Sequence, residues 1–340
     1  MDVTELLAQA VGAQASDLHL AAGEAPILRL DGDLRRLDLP PLEATALREG
    51  LVQLLEQAGQ PWAEKGRELD VALELPGLGR FRLNLYEQLK GPAACLRVIP
   101  SRVPTLAELG LEEVFRLIAR FSSGLVLVGG PTGSGKSTSL AALVDQLNRE
   151  RPLHIITLED PIEVIHSRHR SLVNQREIGR HSRDFAQGLR SALRQDPDVI
   201  MIGELRDLET IRLALRAAET GHLVLATVHT RSAASSIDRL VEVFAAEEKP
   251  LVRMMLAESL RLVVSQQLLK RIGGGRVAAR EVLVATPAVR NLIREGRMAQ
   301  LPSAMQGGAA MGMQTLEAAL RCLLAQGVIG PEQVQALGAG

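Results

Sequence analysis

Residues 125–138 read L-V-L-V-G-G-P-T-G-S-G-K-S-T, and Gly130 to Ser137 fills every fixed position of G-x-x-x-x-G-K-S. The apolar run Leu125 to Val128 ahead of it reads as a strand, and Ser139 to Val144 after it continues as a helix. A strand, a glycine-rich turn and a helix N-terminus in this order build a cradle for phosphate, which commits this part of the chain to an α/β layout. Gly133 and Gly135 let the backbone turn its N–H groups inward, and Pro131, Thr132, Ser134 and Thr138 complete the nucleotide-binding loop. Lys136 is expected on the β- and γ-phosphates of ATP, and Ser137 on Mg²⁺. A chance glycine-rich turn would lack the flanking strand and helix.

A phosphate loop needs carboxylates for the metal and the water. Residues 198–207, D-V-I-M-I-G-E-L-R-D, read as a strand ending in Gly203-Glu204, with a glycine where an aspartate is usual. Residues 155–163, I-I-T-L-E-D-P-I-E, end a second strand in Glu159, Asp160 and Glu163. Such a cluster is often a solvated loop; beside a phosphate loop it can orient the attacking water or take its proton. A further strand ends L-A-T-V-H-T, residues 225–230, with His222 just ahead of it. His229 falls where a polar group can sense the γ-phosphate, its alternative being a structural histidine. His222 reads as ordering the turn or serving a neighbouring subunit's site.

Composition limits the partners. The net charge is -1 and aromatics are 2%, so neither a general pull toward nucleic acid nor base-stacking platforms are expected. Residues 166–195 hold seven arginines against Glu177 and Asp184, but no lysine and one aromatic, Phe185. We read them as salt-linked helix surface between subunits rather than a DNA site. Cys95 and Cys322 are the two cysteines, far apart and without metal-ligand spacing, which suggests a reduced compartment and no structural zinc. The start, M-D-V-T-E-L-L, has no basic leader, so no secretory signal is expected, and no apolar run reaches membrane-spanning length.

Along the chain, residues 1–98 read as one α+β domain. Helices near 5–11 and 43–58 accompany strands at 16–20, 26–32, 69–75, 79–85 and 93–99, which suggests an antiparallel sheet. Residues 99–104, I-P-S-R-V-P, read as a linker. From 105 to 275, strands at 125–129, 153–158, 198–202 and 223–228 alternate with helices, the pattern of a parallel sheet. Leu251 to Lys270 reads as one helix with Leu256, Leu260, Val263, Val264 and Leu268 mostly on one face. Residues 276–340 open with a strand at 277–284 and continue mostly helical.

These pieces together resemble the type II/type IV secretion ATPases, and within them the pilus-retraction branch. The resemblance rests on A-S-D-L-H-L (15–20), the phosphate loop, E-D-P-I-E (159–163), N-Q-R-E-I-G (174–179), the block from Asp196 to Leu215, A-A-E-T-G-H-L-V (217–224), A-A-E-E-K (245–249) and A-V-R-N-L-I-R-E-G (288–296). It covers almost the whole chain, and A-V-R-N-L-I-R-E points to retraction in particular. Absence of the four-cysteine zinc motif frequent in the pilus-extension and type II secretion branches points the same way. E-Q-L-K-G (87–91) and H-S-R-H-R-S-L (166–172) depart from the family's pattern.

The resemblance implies an N-terminal PAS-like domain followed by a RecA-like ATPase domain. It implies a homo-hexameric ring at the cytoplasmic face of the inner membrane, acting on a membrane platform protein, with a paralogous ATPase as a further partner. It implies that Glu204 helps hold Mg²⁺ and its water, that Glu163 is the water-activating base with Glu159 in reserve, and that His222 and His229 form the histidine box. Arg80, Arg82 and Arg97 are then the arginines that reach a neighbour's nucleotide; the bland reading pairs them with Glu74, Glu87 or other acids of their own domain. Two other readings stand beside the retraction motor: a DNA-translocating ring, and an accessory paralogue that binds nucleotide and regulates a second motor.

Overall fold

The computed structural model describes residues 2–59, 68–99 and 102–338, so Pro100 and Ser101 of the expected linker lie outside the described residues. The chain forms two compact units. Residues 1–102 join with 161–164 in the first; 103–160 and 165–340 make the second.

The first unit is built on a six-stranded sheet of β1 (Asp17–Ala21), β2 (Ile27–Leu30), β3 (Asp33–Arg36), β4 (Leu69–Leu75), β5 (Gly79–Gln88) and β6 (Gly91–Ile99). Its order is β3-β2-β1-β6-β5-β4, with every pair antiparallel. The period-2 pattern of β5 explains its two faces. Phe81, Leu83 and Leu85 are buried, joining Leu47, Leu51 and Leu54 of the helix Ala44–Gln57 and Leu6 and Leu7 of the helix Val3–Gly12 in one core. Arg80, Arg82 and Asn84 take the opposite face. The sequence reading lacks β3, whose D-L-R-R is exposed at every position and so carries no burial signal.

The second unit has seven strands: β7 (Gly124–Gly129), β8 (His154–Glu159), β9 (Leu172–Glu177), β10 (Val199–Ile202), β11 (Leu223–Val228), β12 (Leu260–Lys270) and β13 (Arg276–Val284). The order is β13-β12-β7-β11-β10-β8-β9, parallel throughout except for β13. Alternate residues of β7 feed two cores. Leu125 and Leu127 pack with the helices Leu208–Glu219, Ala233–Glu242 and Lys249–Ser259, while Val126 and Val128 pack with Lys136–Glu150. Both faces are thus covered by helices, as a parallel sheet requires. None of the described helices is long and apolar enough to cross a membrane.

Two expectations need correction. Leu251 to Lys270 is not one helix: the helix stops at Ser259, and Leu260–Lys270 is β12, lying between β7 and β13. A strand buried on both faces gives a continuous apolar run, which a helical face can mimic. The arginine-rich stretch 166–195 is only partly helical. It contains β9 at an edge of the sheet and the helix Phe185–Ala192, where Arg190 pairs with Glu209 of the next helix.

Candidate active site

The phosphate loop joins β7 to the helix Lys136–Glu150, and parallel pairing brings the carboxyl ends of β11 and β12 beside it. Gly130 has no substitute, since a Cβ there would lie 2.3 Å from Ser134 Oγ and 2.5 Å from the Gln266 carbonyl oxygen. Gly135, at φ 84°, is the left-handed N-cap from which the helix starts, and no side chain caps that end. The first N–H groups of the helix are therefore directed at whatever the loop holds, a setting that favours an anion. Ser134 Oγ is buried without a hydrogen-bond partner among the described residues, and Ser137 is exposed.

Lys136 is buried, and its Nζ donates to the carbonyl oxygens of Gly130 (2.7 Å) and Pro131 (2.9 Å). Burial lowers its pKa, and the negative charge of Glu204 opposes that effect. Thr138 is half-buried within the helix, while Thr132 and Gly133 are exposed at the loop's tip.

Gly203 and Glu204 follow β10, which lies between β8 and β11. The glycine at this strand end has a steric cause: a Cβ would sit 3.2 Å from the Leu158 carbonyl oxygen and 3.5 Å from Glu159 Cα. The Gly203 N–H donates to that same carbonyl, and its own carbonyl accepts from Thr227 Oγ1. The acid is thereby displaced by one residue to Glu204. Burial alone would raise the Glu204 pKa. The Arg206 hydrogen bond and the charges of His229, Arg206 and Lys136 outweigh burial and hold it below the usual carboxylate range. Glu204 is therefore ionised at neutral pH, the form that binds a divalent cation.

His229 follows β11 directly. Its Nε2 is 3.4 Å from Glu204 Oε1, and its Nδ1 is 3.5 Å from Thr132 Oγ1 of the phosphate loop. His222 stands at the other end of the same strand, where its Nδ1 is 3.0 Å from the Ala217 carbonyl oxygen. The two histidines are not brought together, and His222 orders the turn into β11.

Glu159 ends β8 beside Gly203, and its Oε1 accepts from Thr157 Oγ1 (2.6 Å) and Gln175 Nε2 (3.1 Å). Glu163 lies in residues 161–164, within the first unit, 3.7 Å from Arg82. Arg82 also makes a two-pronged pair with Asp70, at 2.9 and 2.7 Å. Arg80 donates to the Ile162 carbonyl oxygen (3.1 Å), and Arg97 pairs with buried Asp17 (3.0 Å). The three arginines thus have partners in their own unit, and Glu87 pairs with Arg48.

Sequence reasoning missed Gln266. This buried residue of β12 donates from Nε2 to the Ser134 carbonyl oxygen (2.7 Å) and accepts from Ser139 Oγ at Oε1 (2.9 Å). It joins the loop to a strand some 130 residues later, a contact that only the sheet order discloses.

The sequence model of the Type II/IV secretion system protein family matches residues 1–274. The chain is similar to the type IV pilus retraction ATPase PilT of Pseudomonas aeruginosa, with 54% identity over 335 residues, 98% of this chain and 97% of that one. It is 51% identical over 308 residues to a twitching motility protein of Neisseria gonorrhoeae, covering 90% of this chain and 82% of that one. Its structure resembles a crystal structure of the pilus retraction motor PilT with bound ADP, at a TM-score of 0.84 and 42% identity, covering 98% and 96% of the two chains. The chain belongs to the Type II/IV secretion system protein family and is one of its ATPases.

Proposed function

We propose that six copies of the chain form a ring at the cytoplasmic face of the inner membrane. Its ATP hydrolysis retracts type IV pili and drives twitching motility by acting on the membrane platform protein. The observation that carries the chemistry is His229 standing between Glu204 and Thr132 of the phosphate loop. That contact ties an acid at one strand end to the loop that receives the phosphates.

The polyphosphate of ATP rests on the loop N–H groups and on Lys136, which leaves its present carbonyl partners for phosphate oxygens. Ser137 and Glu204 would hold Mg²⁺, which when bound neutralises charge on the β- and γ-phosphates. Glu163 takes a proton as water attacks the γ-phosphorus and the bond to the bridging oxygen breaks, releasing ADP. His229 reports the γ-phosphate to Glu204. Arg80, Arg82 and Arg97 are suited to leave their present partners and approach a neighbouring subunit's nucleotide, where a guanidinium offsets the charge of the transferred group. The near-neutral chain and its scarce aromatics favour this reading over DNA translocation.

Purified protein tests the assignments. Lys136→Ala should lose nucleotide binding and turnover together; Glu204→Gln and Glu163→Gln should lose turnover and keep binding. Mixing Arg97→Ala with Lys136→Ala chains should recover some turnover, because some interfaces then join an intact arginine to an intact loop. Wild-type turnover in Glu163→Gln removes it as the base. Dead mixtures, with both variants still assembling, remove the neighbour-reaching arginine.

A further inference from the structure

Residues 174–179, N-Q-R-E-I-G, take no part in the steps above, yet β9 carries Gln175 to the edge of the acidic loop. β9 runs parallel to β8 with Gln175 opposite Thr157 and Glu177 opposite Glu159. Thr157 and Glu159 are two residues apart on one strand and share a face. Three hydrogen bonds meet there. Gln175 Oε1 accepts the His166 N–H (2.9 Å), Gln175 Nε2 donates to Glu159 Oε1 (3.1 Å), and Thr157 Oγ1 donates to that same oxygen (2.6 Å). The orientation of the amide is fixed, because a backbone N–H can only donate.

One half-buried side chain therefore holds both ends of residues 159–166, the stretch that carries Glu163. At one end it grips a carboxylate, at the other a peptide N–H. We propose that Gln175, helped by Thr157, is a positioning residue for the acidic loop, and that Glu159 is the anchor of that loop rather than its base. The proposal rests on Glu163 being the base. Glu159 Oε1 already receives two donors on the strand face, which suits a fixed post better than a proton acceptor. A base carried on a loop is sensitive to such a post, since a displacement of about 1 Å can cost on the order of a hundredfold in rate.

The test compares steady-state ATPase kinetics with ADP binding, melting temperature and assembly of each variant. Gln175→Leu keeps the bulk and removes both bonds; kcat should fall about ten- to a hundredfold while ADP affinity stays within about twofold. Glu159→Ala should lose turnover likewise. Glu159→Gln should recover a large part of that loss, because its amide oxygen can still accept from Thr157 and Gln175. A base replaced by an amide recovers nothing. Wild-type kcat in Gln175→Leu, or Glu159→Gln as inactive as Glu159→Ala, overturns the proposal. If Gln175→Leu does not fold, the Glu159 pair decides alone. An active Glu163→Gln beside a rescued Glu159→Gln would remove the base assignment and leave the anchor standing.

Discussion

Nε2 of His229 lies 3.4 Å from Oε1 of Glu204, although the two residues end different strands. Adjacent parallel strands β10 and β11 make this meeting, and the other ring nitrogen is turned to Thr132. Removing the imidazole separates the loop from the acid without touching Lys136. His229→Ala is expected to lower kcat about ten- to a hundredfold and to leave ADP affinity within about threefold. Titration with a fluorescent ADP analogue beside a turnover assay checks this. Equal losses in both would mean that the histidine only holds the loop's shape.

Gln266 bonds the phosphate loop at Ser134 and the following helix at Ser139. Gln266→Leu leaves a buried carbonyl and a buried hydroxyl without that partner, a cost of about 1–3 kcal/mol for each such group. Nucleotide affinity should fall roughly tenfold or more, with a smaller change in kcat. Unchanged ADP binding in a folded variant would show that the loop keeps its shape unaided.

Glu281, on β13, is buried and opposite Ser265 of β12. Burial pushes its pKa up, and the hydrogen bond from the Ala233 N–H opposes this. A carboxyl whose pKa is higher folded than unfolded stabilises the fold below its unfolded value. That contribution is lost as pH rises through the folded one. Glu281→Gln keeps an acceptor for Ala233 and carries no charge. It should melt higher than the parent at pH 8, by on the order of 2–4 °C, and the advantage should shrink toward pH 4. Melting curves of the two proteins across that range decide it; an equal advantage at both ends would contradict the account.

The helix Pro287–Glu295 is closed by Thr286 and by left-handed Gly296. Val289 and Ile293 are fully buried and Leu292 partly so, as the spacing predicts. The two arginines differ: Arg290 donates to the Ala285 carbonyl oxygen, whereas Arg294 is exposed. Arg294→Ala should therefore keep ATPase activity within about twofold, since substitutions at exposed sites are usually mild, and lose pilus retraction. Loss of both activities, measured as phosphate release and as twitching zones, would make the residue structural.

The sequence was most readable where a pattern is local. Gly130 to Ser137 carries its own strand and helix signals, and the alternation in β5 sets Phe81, Leu83 and Leu85 against Arg80 and Arg82. It was least readable where partners are brought together by sheet order. β12 was hidden because Leu256, Leu260, Val263, Val264 and Leu268 fall at spacings that also suit one helix face, while Arg261, Ser265, Gln266 and Gln267 break any strand alternation, and Gln266 was hidden with it. β9, at the sheet edge, is polar in its core residues Asn174 to Glu177, so Gln175 gave no strand signal. The pairing of Glu163 with Arg82 spans most of a hundred residues and leaves no trace in composition or period.

The central claim is that ATP turnover at this phosphate loop drives pilus retraction. In the native host, the chromosomal copy is replaced by one encoding Glu204→Gln, and retraction of single labelled pili is followed by fluorescence microscopy. The purified variant is assayed in parallel for ADP binding and turnover. The account predicts a protein that binds ADP, hydrolyses ATP at least about a hundredfold more slowly, and leaves pili extended. Pili that retract at the wild-type rate and frequency beside such a dead enzyme would contradict it.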